Sequence, residues 1–384
     1  MSASPLALYV HIPWCVRKCP YCDFNSHTAP AGLPESAYVS ALMADLDQDL
    51  RDYGEVLAGR SVVSVFFGGG TPSLFSAPAI GAILDGARQR LDFADDAEIT
   101  LETNPGTVEH GRFEDYRRTG VNRLSFGVQS FDDRKLAALG RIHSADEVRQ
   151  AVRLGRAAGY DNFNLDLMYA LPQQDLAQAL ADVEQALALA PTHISHYQLT
   201  LEPNTAFARR PPPLPDDDLA WDMQEACQQR LATAGYDHYE TSAYARPGFR
   251  SAHNVNYWQF GDYLGIGAGA HAKLGGSAAA PRRRWKVRAP NAYLVHAGTP
   301  RGIGGDDPIA GEQLPFEFML NALRLEHGYP RNLFAARTGL DDAQIAGPMA
   351  EAQRRGWLVS DADRVRPTDL GKRFLNDVIG LFLP

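Results

Sequence analysis

The chain has 384 residues, of which 45% are hydrophobic and 22% charged, and a formal net charge of -9. That length allows one large domain with a smaller one beside it, and the acidic balance excludes a general binder of nucleic-acid phosphates. No apolar run approaches the ~20 residues of a membrane helix, and no basic segment followed by an apolar one opens the chain. With eight residues ahead of Tyr9, no targeting extension is expected and the expected location is the cytoplasm.

Strands are predicted at 6–12, 62–67, 99–102, 123–128, 163–168 and 193–199, where short apolar runs are bounded by turn residues. Between them, 35–53, 78–91, 111–119, 146–158 and 176–189 repeat apolar residues at helical spacing. Six strand–helix repeats predict an α/β fold, a partial (β/α)6 TIM-like barrel over residues 1–215, with an open doubly wound sheet as the alternative. Pro211, Pro212, Pro213 and Pro215 mark a break. Residues 216–300 read as an extension that opens with a helix at 219–234 and continues through Gly- and aromatic-rich strands or loops. A second break is expected at 302–308, rich in Gly and Asp. The remainder, 301–384, reads as a smaller, mainly helical, winged-helix-like domain with a helix near 342–355 and a hairpin at 357–365.

The chemistry concentrates after the first strand, where Cys15, Cys19 and Cys22 stand in the pattern C-x3-C-x2-C. Three thiolates hold three irons of a four-iron cluster and leave the fourth open to a ligand. A structural zinc site needs four donors, and only one cysteine half is present; His11 and His27 flank it and could complete a Cys3His set. Four cysteines in 384 residues do not make a disulfide framework. Cys227, on the apolar side of its helix, is expected to be a buried small hydrophobe.

Gly68-Gly69-Gly70-Thr71-Pro72 follows the second strand. Glycines there permit positive φ and close approach of a ligand to backbone, or simply a tight strand-to-helix turn. The run is neither a dinucleotide fingerprint nor a phosphate loop. Glu102, Gln129, Arg141 and Asp166 then recur near the ends of successive strands. Each alone is explained as a helix cap or a solvated rim residue. Together they put two carboxylates, an amide and a guanidinium around one mouth, a set that suits a zwitterionic nucleoside.

Tyr9-Val10-His11-Ile12-Pro13-Trp14-Cys15 and Cys19-Pro20-Tyr21-Cys22-Asp23-Phe24-Asn25 resemble the cluster loop of the radical S-adenosylmethionine (SAM) superfamily. More narrowly they resemble the branch that contains oxygen-independent coproporphyrinogen oxidases (HemN) and heme chaperones (HemW). The resemblance implies a 4Fe–4S cluster on Cys15, Cys19 and Cys22, with SAM on its open iron and an electron donor for the cluster. It also implies SAM contacts from Tyr9, Tyr21, Gly69, Gly70, Thr71, Glu102, Gln129, Arg141 and Asp166. No protein acid or base is required for that chemistry, and none is named.

Two departures separate the oxidases from the chaperones. The oxidases carry a further cysteine two residues after the third cluster cysteine, where this chain has Phe24, and a longer N-terminal segment. His253-Asn254-Val255-Asn256-Tyr257-Trp258 matches the H-N-x-x-Y-W signature of the chaperone branch. On the residues alone His253 reads as a core histidine among packed aromatics; the resemblance implies haem as cargo with contact at His253, a residue type that can ligate haem iron, while Tyr257 and Trp258 offer flat apolar surface to a porphyrin and the axial ligand stays open. His271 is a further candidate for the haem or the SAM pocket. The expectation is therefore a haem chaperone that delivers haem to acceptor proteins, with homodimerisation left open. Oxygen-independent coproporphyrinogen III dehydrogenase is the alternative, and enzymatic activity stays undecided. The basic run from Arg282 to Arg288 reads as a solvated loop. The 342–355 helix carries acids beside its arginines, so no nucleic-acid partner is expected.

Overall fold

The computed structural model of the protein describes residues 5–107, 112–276 and 279–384; Gly111, the first residue of the predicted 111–119 helix, lies outside them. Six parallel strands carry the first half: β1 (Leu6–Ile12), β2 (Ser61–Gly69), β3 (Asp92–Thr103), β4 (Arg123–Gln129), β5 (Phe163–Tyr169) and β6 (His193–Gln198). Each pairs with the next in sequence order. The helices on their outer side are α1 (Glu35–Leu57), α2 (Ala77–Arg88), α3 (Arg112–Thr119), α4 (Asp133–Ala138), α5 (Ala145–Ala157) and α6 (Leu176–Ala188). Capping boxes at Ser144/Glu147 and Asp175/Gln178 fix the starts of α5 and α6. The predicted helix starts therefore agree with the structure to within a residue there, while α4 was not anticipated.

Side chains of a strand alternate between faces, and here the two faces differ in kind. Leu8, Val10, Val65, Phe67, Ile99, Leu101, Leu124, Phe126, Leu165 and Ile194 face the helices and form the main core. The residues between them, including Tyr9, Glu102, Arg123, Ser125, Asn164, Asp166 and Ser195, line cavities on the inner face. A closed barrel of this type fills its interior with branched apolar side chains. This arc keeps a polar one.

The arc does not close on itself. β6 pairs with β8 (Ala243–Ala245), which pairs with β7 (Asp237–Glu240); on the other side β1 pairs in parallel with β9 (Asp262–Ile266). The antiparallel strands β10 (His271–Gly276), β11 (Ala279–Lys286) and β12 (Ile303–Pro308) continue that edge, so among the described residues the sheet has twelve strands. Residues 216–300 thus extend the main sheet at both ends rather than standing apart from it. α7 (Asp217–Thr233) packs on α6 and buries Cys227 completely, as expected.

Two readings are corrected at this edge. The break expected at 302–308 is not irregular chain: Gly302 ends a 3-10 turn and Ile303–Pro308 form the edge strand β12, where Gly304 and Gly305 are required because a Cβ on either would run into the Trp285 ring. The run from Arg282 to Arg288 is not a solvated loop. It lies largely in β11, where Arg284 and Lys286 are buried in ion pairs with Asp45 and Asp49 of α1 and with Asp306 of β12. A buried cation requires such partners, and these are remote in sequence.

The last residues form a small unit with its own core, including Phe318, Met319, Tyr329, Phe334, Leu358, Val378 and Phe382. It combines short helices with a three-stranded antiparallel sheet, Tyr329–Pro330, Arg364–Pro367 and Leu358–Ser360. The predicted 342–355 helix divides into a 3-10 turn, Asp342–Gln344, and a helix, Ala346–Arg354. Phe260 of the main body inserts into this core and Trp258 packs against it, with the Arg324 guanidinium 4.4 Å from the Trp258 ring. Among the described residues, no helix is long and apolar enough to cross a membrane.

Candidate functional site

The cysteine segment leaves β1 as a loop pinned at its base. Trp14–Cys15 pair in parallel with His27–Thr28, and Lys18 Nζ donates to the carbonyls of Phe24 and Ser26 at 3.1 Å each. Asn25 Nδ2 bonds the carbonyls of Ala268 and Arg288, fastening the loop to the far sheet edge. Cys15, Cys19 and Cys22 are all half-exposed and line one cavity of about 130 Å3.

The same cavity is lined by Tyr21, Gly69, Gly70, Thr71, Glu102, Gln129, Arg141 and Asp166. The glycine loop is pressed against the start of the cysteine segment: Gly70 and Thr71 donate their N–H groups to the carbonyls of Ile12 and Trp14 at 2.8 Å each. A Cβ on Gly70 would meet the Trp14 carbonyl at 2.5 Å, and Gly69, at φ +113°, would meet the His11 ring. Close packing therefore demands these glycines whether or not a ligand is present.

Gln129 sits at φ +72°, beside an irregularity in the β4–β5 register, a strained position for a residue with a side chain. It aims its amide into the cavity, where Oε1 accepts from Tyr197 Oη at 2.8 Å. Arg141 donates to the Gly127 carbonyl at 2.7 Å and points Nη1 at Cys19 Sγ, 3.7 Å away. Its buried Nε has no partner. A guanidinium with an uncommitted buried donor beside a thiol suits a site for anionic groups, whether thiolate-bound cluster or ligand carboxylate.

Glu102 and Asp166 form the opposite wall. Burial, and then the nearby Asp166, push the Glu102 carboxyl up to about 8, although Gly69 N–H donates to its Oε2 at 3.2 Å. Burial likewise raises Asp166, whose Oδ1 accepts from Asn164 Nδ2 at 2.7 Å. Two desolvated acids beside each other favour a cationic or hydroxyl-bearing ligand. Burial also raises the Cys15 thiol above its ordinary value.

Zinc in a Cys3His set finds no support. His11 has both ring nitrogens engaged, with Tyr9 Oη at 3.0 Å and the Asn25 carbonyl at 2.9 Å, and His27 Nε2 meets Asn25 Oδ1 at 3.2 Å. Among the described residues no three His, Cys, Asp or Glu side chains converge as a single ion requires. Three thiols lining one cavity are a donor set that could hold a larger inorganic cluster.

A second chamber, of about 730 Å3, adjoins the first and shares Phe24, Gly69, Glu102 and Asp166 with it. Tyr9, grouped by sequence with the SAM contacts, lines this larger chamber rather than the smaller one. His253 lines it too, carried on α8 (Ala252–Trp258) together with Tyr257 and Trp258. Its Nδ1 lies 3.1 Å from Ser64 Oγ, and its ring packs 5.1 Å from Phe66. Burial, then Arg123, lowers its basicity to about 3, so the imidazole stays neutral at physiological pH. His271 also faces this chamber, stacked 6.2 Å from Trp285. The sequence reading missed the chamber's inner wall, Arg123, Ser125, Asn164, His193 and Ser195. The available signal was a polar residue at every second position of three successive strands.

Two family models match: the radical SAM superfamily over residues 9–186 and the HemN C-terminal domain over 309–374. Heme chaperone HemW of Escherichia coli (strain K12) is 51% identical over 383 residues, covering 100% of this chain and 99% of its own. The chain belongs to the HemW family. HemW of Haemophilus influenzae is 49% identical, covering 99% of this chain and 98% of its own. More distant from this HemW-family chain is a Bos taurus protein, radical S-adenosyl methionine domain-containing protein 1, mitochondrial, at 36% identity, with coverage of 97% and 86%. The solved structure of coproporphyrinogen III oxidase (HemN) from Escherichia coli, a radical SAM enzyme, superposes with a TM-score of 0.81 over 99% of this chain and 90% of its own. At 22% identity that likeness establishes the α/β fold of the HemW-family chain and nothing about its substrate.

Proposed function

We propose that the protein is a cytoplasmic haem chaperone that holds haem in the large chamber, with His253 as axial ligand, and passes it to acceptor proteins. The observation that carries this reading is the placement of the His253 imidazole. Its Nδ1 lies 3.1 Å from Ser64 Oγ, its ring faces a chamber walled by Phe66, Tyr257, Trp258 and Tyr263, and burial holds its basicity down. A neutral imidazole whose far nitrogen is fixed by a hydrogen bond is the form that ligates iron. Titrating purified protein with ferric haem tests it: His253→Ala is expected to abolish the histidine-ligated spectrum and weaken binding at least about tenfold, and an unchanged titration overturns the assignment.

Cys15, Cys19 and Cys22 would hold a 4Fe–4S cluster, and Tyr21, Gly69, Gly70, Thr71, Glu102, Gln129, Arg141 and Asp166 would receive SAM beside it. Tyr9 lines the larger chamber instead. Such a cluster, when bound, supplies one-electron reduction from an external donor. The residues themselves orient and desolvate: Arg141 meets the anionic end of the nucleoside, Glu102 and Asp166 its cationic and hydroxyl groups. Anaerobic iron and sulfide analysis with paramagnetic resonance checks this; about four irons, a SAM-dependent spectrum and loss of both in Cys15→Ser are expected. One zinc and no acid-labile sulfide would refute it.

A further inference from the structure

The inner wall of the large chamber holds a guanidinium that the fold leaves incompletely satisfied. Arg123, the first residue of β4, is 2% exposed and lines the chamber. One nitrogen, Nη1, donates to Thr100 Oγ1 at a long 3.4 Å. Nε is 3.7 Å from Glu98 Oε2, outside hydrogen-bond reach, and has no hydrogen-bond partner. Glu98 is itself shared, because its Oε1 lies 3.3 Å from both Ser251 Oγ and the His253 N–H. One carboxylate therefore ties Arg123 to the start of the helix that carries His253.

The polar groups around Arg123 are committed to one another. Asn164 Nδ2 donates to Ser125 Oγ and Asp166 Oδ1, and Asn164 Oδ1 meets His193 Nδ1 and Ser195 Oγ. His193 Nε2 meets Tyr239 Oη at 2.8 Å. Arg123 is thus the group on this wall with a buried donor uncommitted. An arginine carries five N–H donors in a planar fork, and burying it with one long hydrogen bond and one loose ion pair is unfavourable. A ligand carboxylate, with two oxygens at matching spacing, completes it.

Resting on the reading that the chamber holds haem, we propose that Arg123 binds a carboxylate of the macrocycle. The ligand is then gripped at two points that Glu98 holds in fixed relation, the metal at His253 and an acid side chain at Arg123, with the aromatic wall against the ring. The chamber on this assignment selects free-acid porphyrins and rejects neutral, esterified ones.

The test compares ferric haem with its dimethyl ester by absorbance titration, in one detergent buffer, for wild type, Arg123→Gln and His253→Ala. Wild type is expected to bind the acid at least about tenfold more tightly than the ester, the scale of a hydrogen bond to a buried charged group. Arg123→Gln is expected to bind both alike, at the ester's affinity, with the histidine-ligated spectrum kept. Equal affinity of wild type for acid and ester overturns the assignment without recourse to any variant, and so does an acid preference that persists in Arg123→Gln. If His253→Ala changes neither affinity nor spectrum, the reading of His253 as ligand fails instead. The acid preference then decides on Arg123 alone: its loss in Arg123→Gln upholds the assignment, and its persistence overturns it.

Discussion

Glu102→Gln separates what the site costs in stability from what it does. In the ligand-free protein the Glu102 carboxyl titrates at about 8 against an ordinary 4.5. Below about pH 4.5 it is protonated both folded and unfolded and contributes nothing. Between about 4.5 and 8 the native state keeps a proton that the unfolded chain has released, so stability falls as the pH rises. Above about 8 the acid is ionised in both states and the whole penalty stands. At about 1.4 kcal/mol per pH unit the upper bound is about 5 kcal/mol, which water entering the adjoining chamber reduces to on the order of 2 kcal/mol. Glutamine keeps an acceptor for the Gly69 N–H, 3.2 Å from Oε2 in the native protein, and removes the charge. The variant is therefore expected to match wild type in thermal melts at pH 5 and to exceed it by a few degrees at pH 8.5, while losing at least about tenfold in SAM affinity. A melting difference that does not grow with pH refutes the desolvated-acid argument.

Lys286→Met leaves Asp45 and Asp49 buried without the ammonium they share and is expected to destabilise by about 3–5 kcal/mol, read from chemical unfolding; a loss under about 1 kcal/mol would contradict the ion-pair account. Phe260→Ala removes the main-body ring from the C-terminal core and is expected to cost about 3–5 kcal/mol, with the C-terminal unit melting separately in calorimetry. Gly305→Val drives a Cβ to 2.0 Å from the Trp285 ring, so β12 is expected to detach and Trp fluorescence to shift; an unchanged spectrum and melt would show that this edge tolerates the side chain.

The local elements were legible because their signals are local. β1 begins and ends where its apolar run does, and five predicted helices match α1, α2, α3, α5 and α6 to within a few residues, since periodicity and capping residues act over one or two turns. The cysteine trio was legible from spacing alone. The errors came where a residue's partner is distant. Arg284 and Lys286 looked solvated because Asp49 and Asp45 lie 235 and 241 residues away, and Gly304 and Gly305 looked like a break because the Trp285 that requires them belongs to the neighbouring strand.

By itself, then, the sequence determined the α/β alternation, the thiol trio and the polar residues at the strand ends, because covalent spacing and alternation dictate them. Only the tertiary structure decided that Tyr9 and His253 share one chamber, that Phe24 stands between it and the cysteines, and that Arg123 has a buried donor left over. The physical reason is convergence. Whether a polar side chain is solvated, satisfied or poised for a ligand depends on what six strands and a remote helix bring within about 3–4 Å of it, and no local spacing encodes that distance.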